Sequence, residues 1–239
     1  TVIRTATGLP GSNGFQGFGP DSVVEGGRNN YSAYVDFEAD VTDSLQVGVA
    51  ARYDYFNDFG DTFNGKISAR WAINDAIALR GATSTGFRAP TPGQQFTQNL
   101  TTGFPFGSVV PQGILTARVD SELGQFYGAE QLTPEKSFSF SGGTVITPGG
   151  GFNVTLDFYQ IEVRDRIGIT GNIQVTQQDR DFLVGQGVGQ ASELGALRYF
   201  TNAFRTRTQG VDMVLQHKAN TGIGQFNSSL AVNYNLSLI

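Results

Sequence analysis

From Tyr31 to Gly86 the chain alternates apolar and polar residues almost without exception, and a period of two sustained this long admits extended strands and little else. Tyr31, Ala33, Val35, Phe37, Ala39 and Val41 share one phase, with Ser32, Tyr34, Asp36, Glu38 and Asp40 on the other. After a Thr42-Asp43-Ser44 turn the apolar phase resumes with Leu45, Val47, Val49, Ala51, Tyr53 and Tyr55, opposed by Gln46, Gly48, Ala50, Arg52 and Asp54. A third run sets Phe63, Ile67, Ala69, Trp71 and Ile73 against Asn64, Lys66, Ser68 and Arg70, and a fourth carries Leu79 and Gly81 against Arg80 and Ser84. Later runs at about 135–146, 152–163, 200–217 and 225–237 bring the expected strands to eight. Within 152–163 the apolar phase switches near Phe158-Tyr159, which reads as a β-bulge, with Tyr159, Ile161 and Val163 as the new apolar set.

Period alone leaves a soluble β-sandwich open. Two features favour a membrane barrel. The aromatics of the apolar phase cluster at strand ends, Tyr31, Tyr53, Tyr55 and Phe63 at one and Trp71 near the other, as aromatic girdles do at the two bilayer interfaces. The polar phase carries charges in mid-strand, where a dry core would be costly and an aqueous lumen hydrates them. Connection lengths agree. Turns at 42–44, 74–76, 147–151 and about 218–224 are short and fall at one end, whereas 87–134 and 168–199 at the other far exceed ordinary loops. Short turns on one side and long loops on the other match periplasmic turns and extracellular loops. No apolar run reaches the roughly 20 residues of a spanning helix.

Composition removes most chemistry. The chain has no cysteine and a single histidine, His217, so thiolate catalysis, disulfides, histidine metal sites and a Ser/His/Asp triad are disfavoured. A net charge of −5 argues against nucleic acid. "GDTFNGKI" (60–67) nearly fits a phosphate-binding loop, but Ile67 occupies the Ser/Thr position and a strand follows where a helix is needed. "GQGVGQAS" (185–192) lacks the preceding strand of a dinucleotide motif. Asp58 with Asp61, and Asp179 with Asp181, do not have EF-hand spacing and read as solvated loop carboxylates. No spacing supplies an acid/base pair, so the chain reads as a non-enzyme without metal or cofactor.

Five stretches, in order, resemble the β-barrel of TonB-dependent outer-membrane receptors: "RYDYFNDFGDTFNGKISARW" (52–71), "GFRAP" (86–90), "LTPEKSFSF" (132–140), "DFYQIEVRDRI" (157–167) and "NAFRTRTQGVDM" (202–213). The resemblance implies an all-β, antiparallel transmembrane barrel of twenty-two strands in the bacterial outer membrane, with a plug in its lumen. It also implies import of a scarce nutrient such as a siderophore, cobalamin or saccharide, with outer-membrane lipid around the barrel and the TonB complex supplying energy through the plug. With about eight strands and neither a plug nor a TonB box, residues 1–239 read as a partial barrel domain, an internal segment beginning in a Gly-rich extracellular loop and lacking the C-terminal strands. Loops 87–134 and 168–199 are expected to help capture the ligand. The alternative is a passive porin or a small closed eight-stranded barrel with a structural or adhesive role.

The family motif comprises Gly86, Phe87, Arg88, Ala89 and Pro90. Pro90 and Pro92 forbid further ladder donation and make "RAPTP" a stiff lip from which a surface loop departs. Arg88 anchors that lip or contacts an anionic ligand. Phe104, Phe106, Phe126 and Tyr127 present aromatic surface to a ligand or pack the loop.

Overall fold

The structure is a computed structural model that describes residues 27–104, 107 and 109–239, with the backbone pairing of β1 (Gly11–Ser12) and β2 (Phe15–Gln16) ahead of them. Most of the expected N-terminal loop lies outside the described residues. In chain order follow β3 (Asn30–Thr42), β4 (Leu45–Phe56), β5 (Gly60–Asn74), β6 (Ile77–Arg88), α1 (Pro92–Phe96), β7 (Asn99–Gly103), β8 (Gln112–Ala117), α2 (Glu122–Phe126), β9 (Glu135–Gly149), β10 (Phe152–Ile169), β11 (Ile173–Gln174), α3 (Gln177–Gly185), β12 (Leu194–Thr221) and β13 (Gly224–Leu238). The chain divides into two compact units. A sheet unit takes 29–88, 134–166 and 204–239, and a loop unit takes 1–28, 89–133 and 167–203.

In the sheet unit the order is β3-β4-β5-β6-β9-β10-β12-β13, the eight strands expected from the alternation. Their register fixes the faces. Asp36 lies opposite Ala50, Ala50 opposite Lys66, and Lys66 opposite Ser84. Gln46 lies opposite Arg70, and Arg70 opposite Arg80. Asp36, Glu38, Arg52, Lys66, Arg70 and Arg80 therefore share one face, because residues directly opposite in a ladder point the same way. On the other face Phe37 faces Val49, Val49 faces Ile67, and Tyr31 faces Tyr55. From Leu45 to Tyr55 that apolar face spans about 33 Å of strand, or roughly 25 Å of bilayer depth at the usual barrel tilt.

Side chains close the short turns. Asn74 Oδ1 accepts from the amides of Ala76 and Ile77, both at 2.9 Å. Thr42 Oγ1 accepts from the Leu45 amide at 3.0 Å. Gly149, Gly150 and Gly151 all take positive φ, at 90°, 61° and 81°, a path for which glycine is suited. These turns and the one before β13 lie at one end of the sheet, and the connections after β6 and β10 leave from the other, as the alternation requires.

Two expectations are corrected. A closed eight-stranded barrel would pair β3 with β13, but among the described residues the sheet is open, and every position of both edge strands is exposed. The bulge at Phe158-Tyr159 is also absent. The β9–β10 ladder runs unbroken from Val154 to Arg164 and is irregular only between Phe152 and Val154. Tyr159 and Ile161 thus stay on the charged face, opposite Ser141 and Ser139. A tyrosine is tolerated there because its hydroxyl remains among polar groups, 3.5 Å from Asn233 Nδ2.

The loop unit has its own core. Leu115, Val119, Leu123, Leu132, Leu183, Leu194 and Leu197 are buried together, with Ile167, Val175 and Tyr199. Its centre is a parallel ladder between β8 and the first part of β12, pairing Leu115 with Leu197 and Ala117 with Tyr199. β7 adds antiparallel to β8, and β11 to β12. The strand sequences GILTA (113–117) and LGAL (194–197) are apolar without alternation because both faces are covered, as in parallel sheets generally.

Candidate functional site

Functional side chains in the described residues fall in three places: the charged face of the sheet, the rim motif and the loop unit. On the charged face a shallow groove is lined by Glu38, Gln46, Arg70, Arg80 and Asp157 over a floor of small residues. Arg80 reaches across β9 to Asp157 with two hydrogen bonds, at 2.8 and 2.5 Å. Gly143 lies opposite both partners, and any side chain there would occupy the space that the pair fills. Arg52 binds Asp54 two residues along the same strand, and Asp54 is buried. These ion pairs join residues of the wall to one another, the arrangement of a hydrated, polar-lined wall.

The rim motif divides between the units. In the sheet unit Gly86 pairs with Ser137, whose hydroxyl lies 2.8 Å from where a Cβ at 86 would be. Phe87 meets Phe56 edge-on at 5.8 Å. Arg88 forms a two-pronged ion pair with Glu135 of the adjacent strand, and Glu135 is only 5 % exposed. In the loop unit the Pro90 carbonyl accepts from Arg28 Nη2 at 2.7 Å, and Pro90 is fully buried. The extended lip ends sooner than "RAPTP" suggested. Thr91 caps α1, its hydroxyl accepting from the Gln94 amide at 3.2 Å, and Pro92 starts that helix. Proline at a first helical position loses no hydrogen bond.

In the loop unit α2 ends in two aromatics and α3 adds a third. Phe126 stacks on Phe182 at 5.7 Å with 30° between the rings, and Tyr127 meets Phe126 edge-on at 5.0 Å. Phe126 is 44 % and Phe182 54 % exposed, so their stack forms an apolar surface patch. Tyr127 is fixed beneath it. Its hydroxyl donates to Asp179 Oδ2 at 3.0 Å, and its carbonyl accepts from Tyr199 at 2.8 Å. Asp179 in turn closes a capping box with Thr176 at the start of α3. Arg180 donates to the carbonyls of Val175 and Leu194, at 2.9 and 2.7 Å, holding α3 against the start of β12.

These contacts set the titration. Burial, and then the hydrogen bond to Asp179, push the Tyr127 phenol up to about 12. The Thr176 hydroxyl and amide hold Asp179 below the ordinary carboxylate range. A raised tyrosine stabilises the fold fully below the unfolded phenol value of about 10, and that contribution disappears as pH climbs through the folded value. Alkaline titration is therefore expected to loosen the loop unit between about pH 10 and 12, read as phenolate absorbance together with new protease cuts near residues 126–128. Tyr127→Phe should remove that transition and weaken the loop unit by about 1 kcal/mol at neutral pH. An unchanged alkaline transition in the variant would assign it to another tyrosine.

Of the aromatics singled out in the sequence, Phe126 and Tyr127 come together, whereas Phe104 stands apart at 66 % exposure and Phe106 lies outside the described residues. Sequence reasoning missed Phe182. The signal was present in the run "TQQDRDFL" (176–183), a capping box followed by an apolar pair. Asp179 is engaged by Thr176 and Tyr127, and Asp181 by Gln177 at 2.8 Å. "GDTFNGKI" lies in β5. His217 stacks on Phe152 at 4.1 Å near the short-turn end.

Comparison with known proteins gives one family and several receptors. The model of the family "TonB dependent receptor-like, beta-barrel" matches residues 3–238. An iron-regulated outer membrane virulence protein of Vibrio cholerae serotype O1 is 22 % identical over 140 residues, which is 59 % of this chain and 19 % of that protein. Among solved structures, the siderophore receptor PirA from Pseudomonas aeruginosa superposes with a TM-score of 0.63 at 15 % identity, over 88 % of this chain and 34 % of that one. A mutant of the ferric enterobactin receptor PfeA from Pseudomonas aeruginosa gives 0.61 at 13 %, over 86 % and 26 %. The RagAB peptide importer gives 0.57 at 12 %, over 87 % and 22 %. The chain thus spans about a fifth of the curated relatives and a third or less of these structures.

Proposed function

Because this chain belongs to the TonB-dependent receptor-like β-barrel family, a family of bacterial outer-membrane receptors rather than enzymes, we propose that it supplies part of the wall and two ligand-capturing outer loops of a nutrient importer. In this reading residues 1–239 are a partial barrel domain, and the plug, the TonB box and the remaining strands are contributed by the rest of the receptor. The TonB complex supplies the energy through that plug. The charged face lines the lumen, and the aromatic face meets lipid.

The observation that carries the loop assignment is the exposed Phe126–Phe182 stack held on a buried core. Ordering a floppy loop on binding costs roughly 0.5–1.5 kcal/mol per immobilised side chain, and a core that fixes the rings beforehand avoids that cost. Two stacked rings with open edges suit a ligand with its own flat π-surface. A ferric siderophore is the nutrient we propose, supported by the siderophore receptors among the structural relatives. Arg88, already engaged by Glu135, serves in this reading as the anchor of the loop's departure and leaves ligand contact to the loop unit.

The test is iron uptake and ligand binding by the full-length receptor. Cells lacking it should lose growth on its siderophore under iron limitation, and the Phe126→Ala, Phe182→Ala double variant should bind roughly tenfold more weakly, as loss of a stacked aromatic anchor predicts. Unchanged affinity in a folded double variant would move the ligand site elsewhere. Normal growth of the deletion strain on every iron source, with loss of growth on a peptide or saccharide, would replace the nutrient class.

A further inference from the structure

We propose that the charged face of the sheet holds, midway down the wall, a site for one free α-amino acid, with Asp36 taking its ammonium group and Lys66 and Asn64 its carboxylate. Such a site goes beyond nutrient uptake and rests only on the reading that this face lines the lumen.

The register builds the site. One row across the sheet runs Asp36, Ala50, Lys66 and Ser84, each directly opposite the next, so a carboxylate and an ammonium face each other over an alanine. Asp36 and Lys66 are both exposed, and no ion pair among the described residues takes either of them. In the next row on the same face Arg52 lies opposite Asn64. Arg52 is already bound to Asp54, whereas Asn64 Nδ2 is buried without a hydrogen-bond partner. A buried donor in that state is costly unless an acceptor reaches it. Asn64 and Lys66 are two residues apart on one strand and so stand side by side on one face, two donors for one carboxylate.

The space between the charges has a structural cause. The β5–β6 ladder stops at Lys66 opposite Ser84, and the Gly65 amide donates instead to the Thr85 hydroxyl at 3.0 Å. The strands part there, and a groove of about 400 Å³ is lined by Tyr34, Asp36, Arg52, Asn64 and Lys66 over the small residues Ala50 and Gly65. Its charges set the size of the ligand. Two ladder spacings separate the backbones of Asp36 and Lys66 by about 10 Å. With both side chains upright on the sheet, an ion-pair contact of about 3 Å at each end leaves about 4 Å between the ligand's charges. The ammonium nitrogen and a carboxylate oxygen of an α-amino acid lie about 3 Å apart, and each added peptide unit lengthens that span by about 3.5 Å. A free amino acid therefore fits between the two banks and a tripeptide does not. The Tyr34 ring beside the groove suits an aromatic side chain. Asp36 is the central residue of β3, so the site lies at mid-depth of the wall, a station on the way through rather than an entry point.

The experiment uses the full-length receptor in detergent micelles at neutral pH, with L-phenylalanine as probe and isothermal titration calorimetry as readout. Wild type should bind one molecule per chain. Asp36→Asn and Lys66→Gln should each weaken binding about tenfold, the usual contribution of a charge-assisted hydrogen bond. The exchanged variant, Asp36→Lys with Lys66→Asp, should recover much of that loss, because a zwitterion can enter reversed. N-acetyl-L-phenylalanine and phenethylamine, which each keep one charge, should bind about tenfold more weakly than phenylalanine. Phenylalanylglycylglycine should not compete, and heat-dependent gel mobility checks that the variants fold. Absence of binding to wild type, unchanged affinity in both single variants, or equal affinity for N-acetyl-L-phenylalanine would each overturn the proposal. None of these readouts depends on uptake, so a failed nutrient assignment leaves the test intact, and aqueous labelling of Gly48→Cys checks the lumen reading separately.

Discussion

Val49→Arg in the full-length receptor is expected to cost roughly 2–4 kcal/mol of folded stability, the penalty for an arginine near the bilayer midplane. Val49 lies between Phe37 and Ile67 on the aromatic face, where a guanidinium must shed water or drag it into hydrocarbon. Ala50→Arg, one residue on, is expected to cost far less. It points to the charged face opposite Asp36 and Lys66, where the new cation gains a carboxylate neighbour as well as a repulsive one. Urea unfolding in detergent micelles gives the two costs. Labelling of Val47→Cys, Val49→Cys, Gln46→Cys and Gly48→Cys variants separates lipid from water: 47 and 49 should react with membrane-soluble reagents, 46 and 48 with aqueous ones. Equal aqueous labelling at all four would contradict a spanning strand.

Leu197→Ala should cost about 2–5 kcal/mol and act on the loop unit rather than on the sheet. Leu197 is 0 % exposed at the centre of the parallel ladder, between Leu115 of β8 and Ile173 of β11. The cavity opens against residues from both long connections, so limited proteolysis should detect simultaneous new cuts in 89–133 and 167–203 while strands β3 to β6 stay protected. Cuts confined to one connection would show that the two fold independently.

The sheet was legible because one face is apolar and the other carries charge. Val47, Val49 and Ile67 against Gln46, Ala50 and Lys66 leave a period of two, the mark of an extended strand between unlike surroundings. The loop core was not legible for the converse reason. GILTA and LGAL are short, buried on both sides and separated by most of two connections, so neither has a period, and local reading returns loop. Reading β10 failed at Tyr159, whose aromatic ring counts as apolar although its hydroxyl keeps polar company. At the candidate site Phe126 and Tyr127 could be named from the sequence, but Phe182 could be placed beside them only by the packing of α3 against the same core.

The parallel pairing of β8 with β12 has a consequence for the order in which the molecule assembles. Each neighbouring hairpin in β3 to β6 joins residues close in the chain, and such contacts close at low entropic cost. The ladder from Gly113 to Leu194 joins positions about 81 residues apart, with β9 and β10 between them. Because non-local contacts form only after the intervening chain has been ordered, the wall hairpins can form before the loop core has both of its strands. Until then Leu115, Leu123 and Leu132 have no partner from β12 to cover them, so within this chain the two long connections expose their core leucines until β12 has formed.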